Sequence, residues 1–161
     1  MKNYRYGSAS LTRLHTCHGD LQRIANQALS LGIMDISVIC GHRTEKEQDA
    51  LYPKFTSVKW PDSNHNPLPS LAIDLAPYHS VYGYLSGRRE QVEDIARREN
   101  RDYLEAYCFI QSEYHRLSGI VLSCARHLKI ELRWGGDWDS DSNVLNQTFI
   151  DLPHFELVNP S

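Results

Sequence analysis

Apolar residues recur at helical spacing in two long stretches of the chain. Between residues 20 and 31 an apolar side chain returns every three or four positions, and Asp20 is placed to cap the first turn. The same spacing runs from residue 107 to residue 127, over about six helical turns. The pattern therefore predicts two packed helices, and a shorter repeat at residues 92–96 suggests another.

Strand signals lie between and after these helices. Thr44 and Glu47 form a capping box, which predicts a short helix that ends before Pro53. A few long helices and several short strands in mixed order favour an α+β fold, with a small, mostly antiparallel sheet packed against helices. Short β-branched or alternating segments predict the strands at residues 36–40, 71–76, 130–134 and 154–158.

Composition narrows the class of protein. The 161 residues suffice for one domain, which we predict to span residues 1–161 without a separate cell-wall-binding module. A net charge of −3 argues against a nucleic-acid partner, because the one basic cluster, at residues 88–101, is interrupted by acidic residues. Residues 1–10 carry no apolar run, so we expect no signal peptide, no membrane anchor and a cytoplasmic location. Four scattered cysteines are expected to be reduced and buried.

Candidate metal ligands come from the context of two polar residues. His65 lies in a polar loop that leads into the strand carrying Asp74. Ala72 and Ala76 should share the face of Asp74, and such small neighbours leave room beside its carboxylate. A residue that binds a metal needs this space, whereas a structural Asp is more typical of a turn or a cap.

The C-terminal segment adds Asp151 and His154. In a regular strand, positions three apart point to opposite faces, so these two side chains can meet only if the chain bends near Pro153. Two histidines and one carboxylate would leave a fourth position of tetrahedral zinc open for water. Because His and Asp pairs also occur by chance, the spacing alone leaves a purely structural interpretation open.

Several motifs occur in an order that resembles the D-alanyl-D-alanine metallopeptidase superfamily. Its phage L-alanyl-D-glutamate endopeptidases are the most similar branch, and the resemblance spans most of the chain, leaving residues 80–100 as an insertion. Two features depart from the usual pattern, because eight residues separate His65 from Asp74 rather than six, and Ser70 replaces a glycine. The motifs are Gly41-His-Arg43-Thr44, Ser63-x-His65, Ser70-x-Ala72-x-Asp74, Trp134-Gly-Gly-Asp-Trp138 and Asp151-x-x-His154.

The resemblance implies a role for each residue of these motifs. His65, Asp74 and His154 would bind zinc, Asp151 would be the general base, and Arg43 would contact the substrate. The implied protein is an endolysin that cleaves the L-alanyl-D-glutamate bond of bacterial peptidoglycan. We further expect a monomer that waits in the host cytoplasm and reaches the wall after holin-type release.

Two other functions use the same residues. A D-alanyl-D-alanine carboxypeptidase or dipeptidase needs the same metal site but a closed pocket that grips a terminal carboxylate. A zinc-stabilised binding module would keep the ligands but would have no use for Asp151 and Arg43 as a base and a substrate contact.

An acidic loop provides a second, weaker metal candidate. Asp137, Asp139 and Asp141 alternate as in the first half of a calcium-binding loop. Ser142 stands where such loops have glycine, and Thr148 stands where they have a bidentate Glu. A solvated acidic loop is the simpler interpretation, and calcium remains the alternative.

Overall fold

A computed structural model describes residues 2–53, 56 and 58–160. Within them the chain forms an α+β fold, as predicted. The helices are α1 Ser8–Leu14, α2 Gly19–Ser30, α3 Glu45–Leu51, α4 Arg89–Glu99 and α5 Tyr103–Leu128. The strands are β1 Ile36–Cys40, β2 Ala72–His79, β3 Gly83–Tyr84, β4 Leu132–Trp134 and β5 His154–Leu157.

The sheet has the order β1-β2-β5-β4, and β3 pairs with the C-terminal end of β2. All of these pairings are antiparallel. Asp74 on β2 lies opposite Cys40 on β1 and opposite His154 on β5. Directly opposed residues of an antiparallel pair project from the same face, so these three side chains share one face of the sheet.

The core of the protein packs this sheet against the long helices. Val38, Leu75 and Phe155 are completely buried in the sheet, and Ile110 and Leu117 are completely buried on α5. The small residues predicted to flank Asp74, Ala72 and Ala76, are also fully buried. Their methyl groups occupy little volume, which leaves space beside the carboxylate.

Some predicted helix boundaries were wrong. The N-cap of α2 is His18 rather than Asp20, because the Nδ1 atom of His18 accepts a hydrogen bond from the Asp20 backbone N–H at 3.3 Å. Helix α5 starts at Tyr103, where Asp102 and Glu105 form a capping box that lies ahead of the apolar repeat. Helix α1 was missed because it is short and its N-cap, Gly7, has no capping side chain.

The segment between α3 and β2 carries His65 and is fixed by backbone hydrogen bonds. The N–H of Ser70 donates to the carbonyl of Thr16, and the N–H of His18 donates to the carbonyl of Ser70, both at 2.8 Å. The N–H of Arg43 donates to the carbonyl of His65, also at 2.8 Å. An endopeptidase needs an open groove, and the sequence predicts that the loop from Phe55 to Pro69 borders this groove without sealing it. Phe55 itself lies outside the described residues. The described part is tied to the N-terminal helices and to the end of β1.

Gly41 provides a test of how closely β1 packs on the α1–α2 connection. A Cβ atom at Gly41 would lie 2.4 Å from the Arg13 carbonyl oxygen and 2.9 Å from Cys17 Sγ. Gly41→Ala should therefore lower the free energy of unfolding by about 1–3 kcal/mol, the usual cost of overpacking. Gly119→Ala is the matched control, because a Cβ atom there would have no neighbour within 4 Å and alanine favours a helix. Thermal denaturation of both variants measures the difference, and equal melting temperatures would contradict the packing argument.

Candidate active site

Three predicted ligands converge on one point of the sheet face. His65 Nε2 lies 3.1 Å from Asp74 Oδ1 and 3.2 Å from His154 Nδ1, and His154 Nδ1 lies 3.2 Å from Asp74 Oδ1. Metal–ligand bonds of about 2.0–2.1 Å at tetrahedral angles place neighbouring ligand atoms about 3.3 Å apart. The three atoms therefore form a triangle that matches one face of a zinc tetrahedron.

The outer nitrogen of each histidine has its own hydrogen-bond acceptor. His65 Nδ1 is 2.7 Å from the carbonyl oxygen of Gly41, and His154 Nε2 is 3.1 Å from Glu156 Oε2. A carbonyl or carboxylate accepts a hydrogen bond from the N–H of the outer nitrogen, and in this tautomer the inner nitrogen has a free lone pair. Both rings are thus oriented as metal ligands normally are.

The electrostatics of this cluster favour a positive charge between the three side chains. Burial opposes the charged form of both histidines, yet Asp74, aided by Cys40 at His65 and by Glu156 at His154, outweighs that cost and raises the pKa of both. Burial likewise opposes the charge of Asp74, but the two histidines lower its pKa. A divalent cation would satisfy this preference, and it would have to displace the protons that the histidines otherwise hold.

Glu156 supports the cluster and was not predicted as part of the site. It accepts hydrogen bonds from Asn64 Nδ2 at 2.7 Å and from Arg133 Nε at 2.7 Å, as well as facing His154. Burial would raise its pKa, but these partners dominate and lower the pKa of Glu156 to about 2. The sequence did contain a signal, because residues two apart in a strand share a face and Glu156 follows His154 by two.

The bend required at Pro153 is present. The N–H of His154 donates to the carbonyl of Asp151 at 3.1 Å, which closes a turn over residues 151–154. Asp151 is anchored by an N–H bond to the carbonyl of Gly135 at 2.8 Å. Burial and the neighbouring charge of Asp74 raise the pKa of Asp151, while both histidines and Arg43 oppose that shift. A carboxylate with a raised pKa beside a polar cluster is suited to moving protons.

Arg43 reaches the cluster from the end of β1. Its Nη2 atom lies 3.6 Å from Asp74 Oδ2, and its Nη1 atom donates to Gln48 Oε1 at 3.0 Å. Gln48 is completely buried, and its Nε2 atom donates to the carbonyl of Val58 at 2.6 Å. The guanidinium is therefore held in place by α3 at the edge of the site, with donors left over for a ligand.

Cys40 is a further residue at this centre that the sequence motifs did not identify. Its Sγ atom and ligand atoms of His65 and Asp74 all lie within 4.8 Å of one another, so these residues also form a group that could hold a metal ion. Arg43 Nη2 donates to the Cys40 sulfur at 3.6 Å. The prediction of buried cysteines was wrong here and at Cys108, since Cys40 is partly exposed and Cys108 is exposed.

The acidic loop gathers its carboxylates without contributing to this cluster. Ligand atoms of Asp137, Asp139 and Asp141 lie within 4.8 Å of one another. Asp137 Oδ1 is buried and has no hydrogen-bond partner within the described part of the chain.

Two separate concavities are lined by residues that the sequence predicts to act at the centre, although neither is lined by His65, Asp74 or His154. One, of about 370 Å³, is lined by Arg43 together with residues of β1 and α3. The other, of about 400 Å³, is lined by Asp151 and by residues 150–153, 86–87 and the first half of α5. They share no described lining residue.

No helix among residues 2–53, 56 and 58–160 is long and apolar enough to cross a membrane.

Comparison of the sequence and the fold with known proteins identifies the class of protein to which this fold and site belong. The crystal structure of the Serratia marcescens L-Ala D-Glu endopeptidase ChiX has a similar fold, with a TM-score of 0.60 and 23% identity over 95% of this chain and 90% of that one. The L-alanyl-D-glutamate peptidase of Escherichia phage T5 is 24% identical over 159 residues, which cover 97% of this chain and 99% of the relative. The family model described as phage L-alanyl-D-glutamate peptidase matches residues 2–86.

The chain belongs to the phage L-alanyl-D-glutamate peptidase family. This confirms the resemblance inferred from the motifs, and with it the expectation of a hydrolase that acts as a peptidoglycan endopeptidase.

Proposed function

We propose that the protein hydrolyses the L-alanyl-D-glutamate bond of peptidoglycan stem peptides at a zinc centre held by His65, Asp74 and His154. The observation that carries this proposal is the triangle of ligand atoms 3.1–3.2 Å apart. Zinc suits two imidazole nitrogens and one carboxylate better than cations that require all-oxygen shells. Bound there, it would supply a Lewis acid that activates water and polarises the scissile carbonyl.

The remaining steps fall to Asp151 and Arg43. Asp151 takes a proton from the attacking water and delivers it to the leaving amine of D-glutamate, for which a raised pKa is favourable. Arg43, fixed by Gln48, donates hydrogen bonds to the carbonyl oxygen or to a substrate carboxylate. A binding module would have no use for this pair, which supports an enzyme.

The shape of the site supports an endopeptidase over a carboxypeptidase. A carboxypeptidase closes its pocket around a terminal carboxylate, whereas an endopeptidase admits a chain that continues on both sides of the bond. Here Arg43 and Asp151 line two separate concavities, and neither of these encloses the three ligands in one pocket. In the proposed binding mode, the two parts of the peptide on either side of the scissile bond occupy these two concavities.

The ligand set can be tested by comparing His154 with Cys40. His154→Ala should lose zinc and activity, because His154 Nδ1 lies within 3.2 Å of both other ligand atoms. Cys40→Ser is the matched variant, because Cys40 on β1 also lies opposite Asp74, and it should keep about one zinc per chain. Metal analysis of the purified variants measures both. Zinc lost from Cys40→Ser and kept in His154→Ala would transfer the third ligand to the cysteine.

The general base is tested by Asp151→Asn. The variant should retain zinc, since Asp151 is not among the three ligands, and should lose about 10²–10⁴ in kcat, the usual contribution of such a group. Asp62→Asn, at an exposed aspartate of the described loop, is the control and should behave as the wild type. Turnover of Asp151→Asn within a few-fold of the wild type would assign the proton transfer elsewhere.

The bond itself is tested by digestion of purified cell wall. Mass spectrometry should find released peptides that begin with D-glutamate, while L-alanine stays on the glycan strands. Release of free D-alanine alone would select the carboxypeptidase.

Calcium at the acidic loop is a second proposal of smaller scope. It is supported by the buried Asp137 Oδ1 atom that lacks a hydrogen-bond partner among the described residues. The remaining carboxylates are engaged within the loop, since Gln147 Nε2 donates to Asp139 and the Asn143 N–H donates to Asp141.

The expectations of a monomer, of one catalytic domain and of holin-type release from the host cytoplasm stay predictions.

A further inference from the structure

The concavity beside Asp151 has a wall that the catalytic roles do not explain. Helix α5 presents Tyr107, Gln111 and Tyr114 to it, at positions that follow each other on one helical face. Asp151 and Ile150, a residue that is 56% exposed, also line the concavity.

Residues 80–100, which the motif comparison leaves as an insertion, complete this wall. The side chain of Gln91 accepts a hydrogen bond from the Ser86 N–H at 2.7 Å and donates to the carbonyl of Tyr84 at 3.0 Å. Tyr114 OH donates to the carbonyl of Leu85, which joins this turn to α5. The turn at Ser86 and Gly87 is thus fixed at the edge of the concavity.

The lining suits a neutral, partly polar ring. Tyr107 is 39% exposed, so part of its ring is free for a ligand to stack on. The Gln111 side-chain amide makes no hydrogen bond within the described part of the chain and can both donate and accept. Among the described lining residues, Asp151 is the one that carries a formal charge, and a negative charge disfavours an anionic ligand.

The other concavity has the opposite character. Arg43 lies there, and the nearby Glu47 is already engaged with Thr44 in the capping box of α3. A guanidinium fixed at a rim favours a carboxylate. The D-glutamate of a stem peptide, joined onward through its side chain, keeps a free α-carboxylate, whereas the L-alanine leads to an uncharged acetylated sugar.

We propose that α5 and the 80–100 insertion build a subsite beside Asp151 for the N-acetylmuramyl sugar that carries the stem peptide. Tyr107 stacks on the sugar ring, and Gln111 hydrogen-bonds to its acetamido group. The D-glutamate then lies toward Arg43. This orientation rests on the proposed function, since it takes the L-alanyl-D-glutamate bond as the one that is cut.

The test compares two substrates with the same scissile bond, a disaccharide-linked stem peptide and the free peptide. The ratio of their kcat/KM values isolates the contribution of the sugar. Tyr107→Ala should lower this ratio about fivefold, the size expected for one aromatic contact, and Gln111→Ala should lower it in the same direction. Tyr103→Ala is the control, because Tyr103 is similarly exposed on the same helix and does not line the concavity.

An unchanged ratio in both variants overturns the subsite, because the sugar would then contribute nothing at this wall. If the wild type cleaves neither substrate, the proposed function fails, and the subsite is decided by binding alone. Calorimetric titration with N-acetylmuramyl-L-alanine should then show weaker binding to Tyr107→Ala than to the wild type and to Tyr103→Ala. Equal affinities for all three proteins would overturn the proposal.

Discussion

The pairing of β2 with its two neighbours is the constraint on which the site depends. Asp74 lies opposite Cys40 on one side and opposite His154 on the other, so three residues far apart in sequence share one face. A slip of one residue in either pairing would send a side chain to the opposite face. The buried Val38, Leu75 and Phe155 resist such a slip, because it would also expose the core. The hydrophobic pattern of the strands therefore positions the polar cluster.

Asp74 connects this packing to the chemistry. Its carboxylate is the common neighbour of His65, His154 and Arg43, and it raises the pKa of both histidines. The cost of burying three such groups is offset only if their polar atoms find partners. The Gly41 carbonyl and Glu156 provide these partners on the outer side of each imidazole. A cation placed at the inner side would meet an arrangement that is already oriented.

The parts of the fold and of the site that could be predicted from the sequence are those that depend on residues close together in the chain. The strands, the helix capped by Thr44 and the bend at Pro153 follow from nearby residues, and the structure contains each of them. Cys40 could not be placed, because β1 contains an irregular register between Val38 and Cys40 that no local pattern indicates. The His18 cap escaped for a related reason, since histidine is not among the residues that commonly cap a helix. Glu156 was within reach of strand periodicity, because it follows His154 by two positions on the same strand.

The hydrogen bonds between Ser70 and the α1–α2 connection bear on how this chain can be engineered. Both the N–H and the carbonyl of Ser70 are held by Thr16 and His18, a few residues downstream of α1. The N-terminal segment therefore holds the loop that carries His65 in place, although that segment supplies none of the three ligands. Chimeric proteins built from this chain should therefore retain the N-terminal region through His18, including Tyr6, whose hydroxyl donates to the carbonyl of Ala25 on α2.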